Sequence, residues 1–206
     1  EVTGTGQREA VAGAVAASGA ARLGLEAESV TWAAQRTYAE TWFPELELVP
    51  TIGLVAGLRA RKDPGEIARL AAAAAVADAA LARVRHRLVE GPTEAELGLE
   101  LDTAMRQLGA DDVSFETIVA SGPNGARPHH RPSDRRIVEG DLVVMDFGAV
   151  VDGYHSDMTR TFHVGVPSDV QRRMVDVVTE AQAAGVATVR AGVEARAVDA
   201  ACRSVI

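Results

Sequence analysis

Two aspartates eleven residues apart occupy the most informative positions in the sequence. Asp146 interrupts Leu142-Val143-Val144-Met145-Asp146-Phe147-Gly148, an apolar run that reads as a buried strand. Asp157 follows in Tyr154-His155-Ser156-Asp157-Met158-Thr159. An uncompensated carboxylate in such a strand is costly. Asp152-Gly153 between the runs suits the positive-φ positions of a tight hairpin turn. With Val151 facing Tyr154, Asp146 faces Thr159 and Asp157 is its diagonal neighbour on the same face. A slip of two residues would set the carboxylates directly opposite. Like charges this close repel unless they share a proton or a cation. The proton reading makes an acid/base dyad, and the cation reading makes half of a metal site. In a third reading Asp146 pairs with Arg160 or another arginine and Asp157 only flanks the turn. Thr159 and Thr161 share the face and could hydrogen-bond the carboxylates.

Four of the five histidines, His129, His130, His155 and His163, fall in one 35-residue window with these aspartates. The first two stand in Ala120-Ser121-Gly122-Pro123-Asn124-Gly125-Ala126-Arg127-Pro128-His129-His130-Arg131-Pro132, an irregular path fixed by two glycines and three prolines. Adjacent residues point in different directions, so one imidazole, not both, is expected at a ligand. His155 and His163 share strand parity with Asp157 and read as ordinary strand or supporting residues. His86, on an arginine-rich helix, reads as a surface residue.

Around these residues the pattern alternates between helix and strand. Asp63, Pro64 and Glu66 predict a helix start. Ile67, Leu70, Ala74, Ala77, Leu81, Val84 and Leu88 supply one apolar stripe up to Gly91-Pro92. Thr93 and Glu96 have the spacing of a capping box for a second helix, ending at Gly109. Ser168 and Gln171 cap a third that runs to about Val189, and a last helical pattern from Ala195 continues to the end at Ile206. Strands are predicted over 114–120, 142–150 and 154–164. Residues 1–57 read as part of an α/β domain, with helices over 7–20 and 29–43, apolar Leu23 and Leu25, and a strand over 46–49. The charged segment 58–65 reads as a linker, and 66–206 as the second domain.

The 206 residues carry 21 basic and 29 acidic side chains, a net charge of −8. That balance excludes nonspecific binding to nucleic acid or to anionic lipid. With 47% hydrophobic and 24% charged residues the chain can form a core. No apolar run reaches the roughly 18 residues of a membrane span. The single cysteine, Cys202, cannot form an internal bridge, reads as a small buried hydrophobe, and fits a reducing cytoplasm. The chain lacks an initial Met, as expected of a piece of a longer protein.

Phe115–Gly122, Pro128-His129-His130, Gly140–Gly148 and Gly153–Phe162 together resemble the proline-specific branch of the "pita-bread" metallopeptidases, the Xaa-Pro aminopeptidases and Xaa-Pro dipeptidases. Leu58–Glu66 resembles the family's linker into its catalytic domain. The resemblance implies an α+β, creatinase/aminopeptidase-like catalytic domain, present here as its first half and preceded by the C-terminal part of an α/β domain. It implies a centre of two divalent ions with five protein ligands, Asp146 chelating one ion and Asp157 bridging both. His129 matches the histidine that contacts the substrate carbonyl, and His130, Thr159 and His155 are candidate supporting or substrate contacts. The remaining ligands, a His and two Glu, would lie beyond Ile206, so the chain alone is expected to be inactive. An open sheet face, or a partner covering it, is expected in consequence. A carboxylate-dominated site suits Mn²⁺, with Co²⁺ or Zn²⁺ as alternatives. The implied activity is hydrolysis of the Xaa-Pro bond at a peptide N-terminus or in a dipeptide, by a cytoplasmic homodimer. The alternatives are a methionine aminopeptidase-like peptidase, which the segment before residue 58 disfavours, and a non-peptidase relative.

Overall fold

The computed structural model describes residues 4–206, which divide into two compact units at Asp63/Pro64. In the first, helix α1 (Gly4–Ser18) leads to strand β1 (Arg22–Glu26) and helix α2 (Trp32–Thr37), whose start is capped by the Thr31 hydroxyl accepting from the Ala34 N–H. The helix expected over 29–43 is not continuous. It widens at Tyr38–Trp42 into a π-helical turn that gathers Tyr38, Trp42 and the buried Phe43 into one aromatic cluster. Strand β2 (Glu47–Thr51) lies parallel to β1, and helix α3 (Leu54–Arg59) occupies part of the segment expected to be a linker.

The second unit opens with α4 (Pro64–Val84), a 3₁₀ turn over Arg85–Glu90, and α5 (Glu94–Gln107). Thr93 and Glu96 form the predicted capping box, each satisfying the other's backbone N–H. Gly91 (φ 68°) turns the chain between the two helices. The predicted stripe on α4 needs correction at its start. Ile67 is 56% exposed and Ala74 faces solvent, whereas Ala73, Ala77, Ala80, Leu81 and Val84 are buried. Small residues bring the helix close enough for the Ser156 hydroxyl to reach the Ala73 carbonyl (3.2 Å).

Strands β3 (Asp112–Val113), β4 (Ile118–Ser121), β5 (Leu142–Phe147), β6 (Ala149–Val151), β7 (Tyr154–His155) and β8 (Met158–His163) form two antiparallel sheets, ordered β3-β6-β7 and β4-β5-β8. The strand expected over 114–120 is therefore two short strands joined by an irregular link. The predicted hairpin register holds along its length: Val151 faces Tyr154 and Asp146 faces Thr159, around a turn with Asp152 (φ 50°) and Gly153 (φ 76°). The hairpin is broken, however, at Gly148 and at Ser156-Asp157. A Cβ at Gly148 would lie 1.9 Å from the Ser156 carbonyl oxygen, so the crossing admits only glycine.

Strand β5 alternates strictly. Val143, Met145 and Phe147 are fully buried with Leu97, Leu101, Met105, Val119 and Ile137 beneath α4 and α5, while Leu142, Val144 and Asp146 are half-buried on the opposite face. Helix α6 (Asp169–Thr188) starts at the predicted Ser168/Gln171 capping box. It packs on α7 (Ala195–Arg203), with Cys202 Sγ where a Cβ on Gly185 would otherwise fall (2.4 Å); Cys202 packs against α6 but is only half-buried, not the buried hydrophobe expected. Helix α7 does not run to the last residue: its Ser204 cap closes it on the Ala200 carbonyl.

Candidate functional site

The open face of β5 and β8 supplies the floor of the site. Its alternation places Val144 and Asp146 on β5 opposite Thr161 and Thr159 on β8, with Ile118 and Ala120 of β4 on the other side. The Thr159 hydroxyl donates to Asp146 Oδ1 at 2.9 Å. Asp157 lies exposed at the break in the second strand, just before β8, and faces the same cleft as Asp146. Arg160 is not a partner of Asp146. It faces Met145, and its guanidinium turns back to the Thr159 carbonyl. Among the described residues neither carboxylate has an ion pair.

A cleft of about 340 Å³ is lined by Asp146, Asp157, His129, His130, Phe115, Glu116, Ile118 and Arg131. It therefore gathers four of the residues singled out from sequence. A second hollow of about 320 Å³ shares Ile118, His129 and Asp146 with it and extends along Ala126, Arg127 and Pro128. His129 adopts φ 55°, a left-handed conformation uncommon for a residue with a Cβ.

The loop that carries His129 is organised by Glu94, a residue the sequence reading passed over. Its side chain is fully buried at the first turn of α5. Oε1 accepts from the Ser121 N–H (2.7 Å), the Ser121 hydroxyl (2.6 Å) and Asn124 Nδ2 (3.0 Å). Oε2 accepts from the Ser133 N–H (3.1 Å) and the Ser133 hydroxyl (2.6 Å), and lies 2.9 Å from His130 Nε2. Burial alone would push this carboxyl up, but the bonds from Ser121, Ser133 and Asn124 outweigh it and bring its pKa down to about 2. Arg135 extends the network, donating to the Ser121 hydroxyl and to both oxygens of Asp141. Burial opposes ionisation of Asp141, yet the Arg135 guanidinium and the Val138 N–H hold its carboxyl below the usual range. His130 turns its Nε2 to Glu94, and His129 has no hydrogen bond among the described residues; both histidines nevertheless line the one cleft, although a single imidazole was expected there.

Two other histidines fall outside this cluster. His155 stands on β7, exposed and paired with Val150 in the other sheet, because the break at Ser156-Asp157 ends the parity that sequence extrapolated through it. His163 faces Leu142 at the far end of β8, its buried Nε2 without a partner among the described residues. His86 is exposed, as expected.

Asp146 and Asp157 offer hard oxygen donors free of competing cations, which fits them as part of a divalent-metal site. Among the described residues no three His, Cys, Asp or Glu side chains converge to complete one. No helix among them is long and apolar enough to cross a membrane.

Comparison with known proteins gives the arrangement a context. Residues 68–206 match the model of metallopeptidase family M24. An Xaa-Pro dipeptidase of Pyrococcus furiosus is 38% identical over 153 residues, which is 74% of this chain and 44% of that protein. The structure superposes on an Xaa-Pro dipeptidase from Bacillus anthracis with TM-score 0.88 at 40% identity, covering 97% of this chain and 56% of that one. It superposes on an X-Pro aminopeptidase from Thermotoga maritima with TM-score 0.89 at 32% identity, covering 100% and 58%. The chain thus spans about half the length of the relatives it matches.

Proposed function

The chain belongs to metallopeptidase family M24, with the pita-bread fold of its prolidase neighbours, and from that premise we propose that it supplies part of the active site of a peptidase that cleaves the bond before proline. The observation that carries this reading is the meeting of Asp146, Asp157 and His129 at one cleft. In it, Asp146 and Asp157 hold divalent metal, two ions with Mn²⁺ as the preferred species, together with ligands from outside these residues. Bound divalent metal supplies Lewis acidity and lowers the pKa of water to about 7. The chain's own residues do the rest. The Thr159 hydroxyl fixes the orientation of Asp146 by donating to Oδ1. The His129 imidazole, across the cleft, donates to the scissile carbonyl and to the oxyanion that develops on it. Ile118 and Phe115 give the cleft an apolar wall suited to a proline ring.

The relatives' names, Xaa-Pro dipeptidase and X-Pro aminopeptidase, support the choice of proline at the second position. The test is hydrolysis of Xaa-Pro dipeptides and Xaa-Pro-Yaa tripeptides by the full-length protein with Mn²⁺, Co²⁺ or Zn²⁺. Release of the first residue from at least one set, abolished by a chelator, is expected. Absence of turnover with all three metals, or turnover only on Met-Ala-type peptides, would overturn the reading.

A further inference from the structure

The residues that would touch metal or substrate leave one buried charge unused. Glu94 lies outside the reacting cleft, yet six donor groups from Ser121, Asn124, His130 and Ser133 converge on it. A carboxylate has about four lone-pair sites, so this one is saturated. Its donors come from both sides of His129: Ser121 and Asn124 precede it in the chain, and His130 and Ser133 follow it. The backbone of Glu94 is tied to the same segment, its N–H donating to the Arg135 carbonyl (3.0 Å) beside the Thr93 capping box. Behind Ser121, the Arg135–Asp141 pair (2.6 Å) holds the hydroxyl that donates to Glu94. His129 combines a left-handed backbone with a side chain that has no hydrogen bond among the described residues. Its direction is therefore set by the backbone on either side, which means by what holds residues 121–133.

We propose that Glu94 is a positioning residue for catalysis, a clamp that closes both ends of the 121–133 loop and so aims His129 into the cleft it shares with Asp146 and Asp157. The inference rests on the reading of His129 as the group that faces the substrate carbonyl. A neutral amide cannot replace the carboxylate. The nitrogen of Gln would face N–H and O–H donors and leave some of them unpaired inside the fold.

The test combines amide hydrogen exchange with a double-mutant cycle in the full-length, Mn²⁺-loaded protein. Glu94→Gln is expected to speed exchange across residues 121–133 while α5 and β5 keep their protection. It should also lower kcat for an Xaa-Pro substrate by about 10- to 100-fold with KM changed less than about threefold, as misplacing one catalytic group does. In a His129→Ala background the same substitution should cost less than about threefold, because the group it positions is already gone. Equal losses in both backgrounds would overturn the proposal, since a general structural defect acts whether or not His129 is present. Wild-type kcat in Glu94→Gln would overturn it as well. If that variant does not fold, Asn124→Ala removes one arm of the clamp, with a smaller kcat loss expected that also vanishes without His129; equal losses again refute. Should the wild type show no turnover, the functional reading falls, and exchange still decides the clamp: unchanged protection of 121–133 in Glu94→Gln refutes it.

Discussion

The depressed pKa of Glu94 makes a quantitative prediction that needs no enzymatic assay. The carboxyl titrates near 4.5 in an unstructured chain and about 2 in the fold. Between those values the unfolded state binds the proton and the folded state does not, so stability rises with pH through that window and is fully present above it. The whole shift is worth about 3 kcal/mol at 1.36 kcal/mol per unit. Of this, about 2 kcal/mol is lost between pH 6 and pH 3, and most of the remainder by pH 2. Other acids, Asp141 among them, titrate in the same range, so the difference between wild type and Glu94→Gln isolates the one group. Urea unfolding of the chain at pH 6 and pH 3 reads it directly: the advantage of wild type over the variant should shrink by about 2 kcal/mol at the lower pH. A constant advantage would mean that Glu94 has an ordinary pKa in the fold, and the hydrogen-bonded cage would then be wrong in its energetics.

Gly148→Ala places a methyl 1.9 Å from the Ser156 carbonyl oxygen, and that carbonyl cannot easily retreat because the Ser156 hydroxyl is anchored to Ala73. A loss of about 3 kcal/mol or more in urea unfolding is expected, and a change under about 0.5 kcal/mol would refute the steric reading of the hairpin break. Thr159→Val removes the 2.9 Å bond to Asp146 with little change in volume. Mn²⁺ affinity of the full-length protein, measured calorimetrically, should fall about 10-fold or more, while unchanged affinity would separate Thr159 from the metal site. Leu101→Ala empties a fully buried position beneath the sheet and should cost about 2–5 kcal/mol, with the Asp146 face left intact as judged by unaltered metal affinity.

Local chemistry made much of this fold legible before any coordinates. The register that sets Asp146 opposite Thr159 follows from one Asp-Gly turn and a period of two, and the structure keeps it from Val151↔Tyr154 to Leu142↔His163. The capping boxes at Thr93 and Ser168 were equally readable, since both partners lie three residues apart. What escaped depends on distant atoms. The break at Gly148 arises from close approach of the opposing strand at Ser156, and it moves His155 into the other sheet. Ile67 is exposed because the buried line of α4 runs from the half-buried Leu70 through Ala73, Ala77, Ala80 and Val84, a choice of helix face made by what packs against it rather than by the spacing of apolar residues. Glu94 was hidden more thoroughly. Next to a capping-box Glu96 it looks like another first-turn acid, and its partners arrive from 27 to 39 residues along the chain. No local pattern links an acid at a helix start to serines that far away; only the folded chain brings them together.

Metal binding by the full-length protein carrying Asp157→Asn bears most directly on the proposed role of this face. Calorimetric titration with Mn²⁺ should show wild type taking up metal with a stoichiometry that the variant loses in whole or in part, together with Xaa-Pro hydrolysis. Equal metal stoichiometry and affinity in the two proteins, with wild-type turnover retained in the variant, would contradict a metal-holding role for Asp157 and with it the catalytic reading of the cleft.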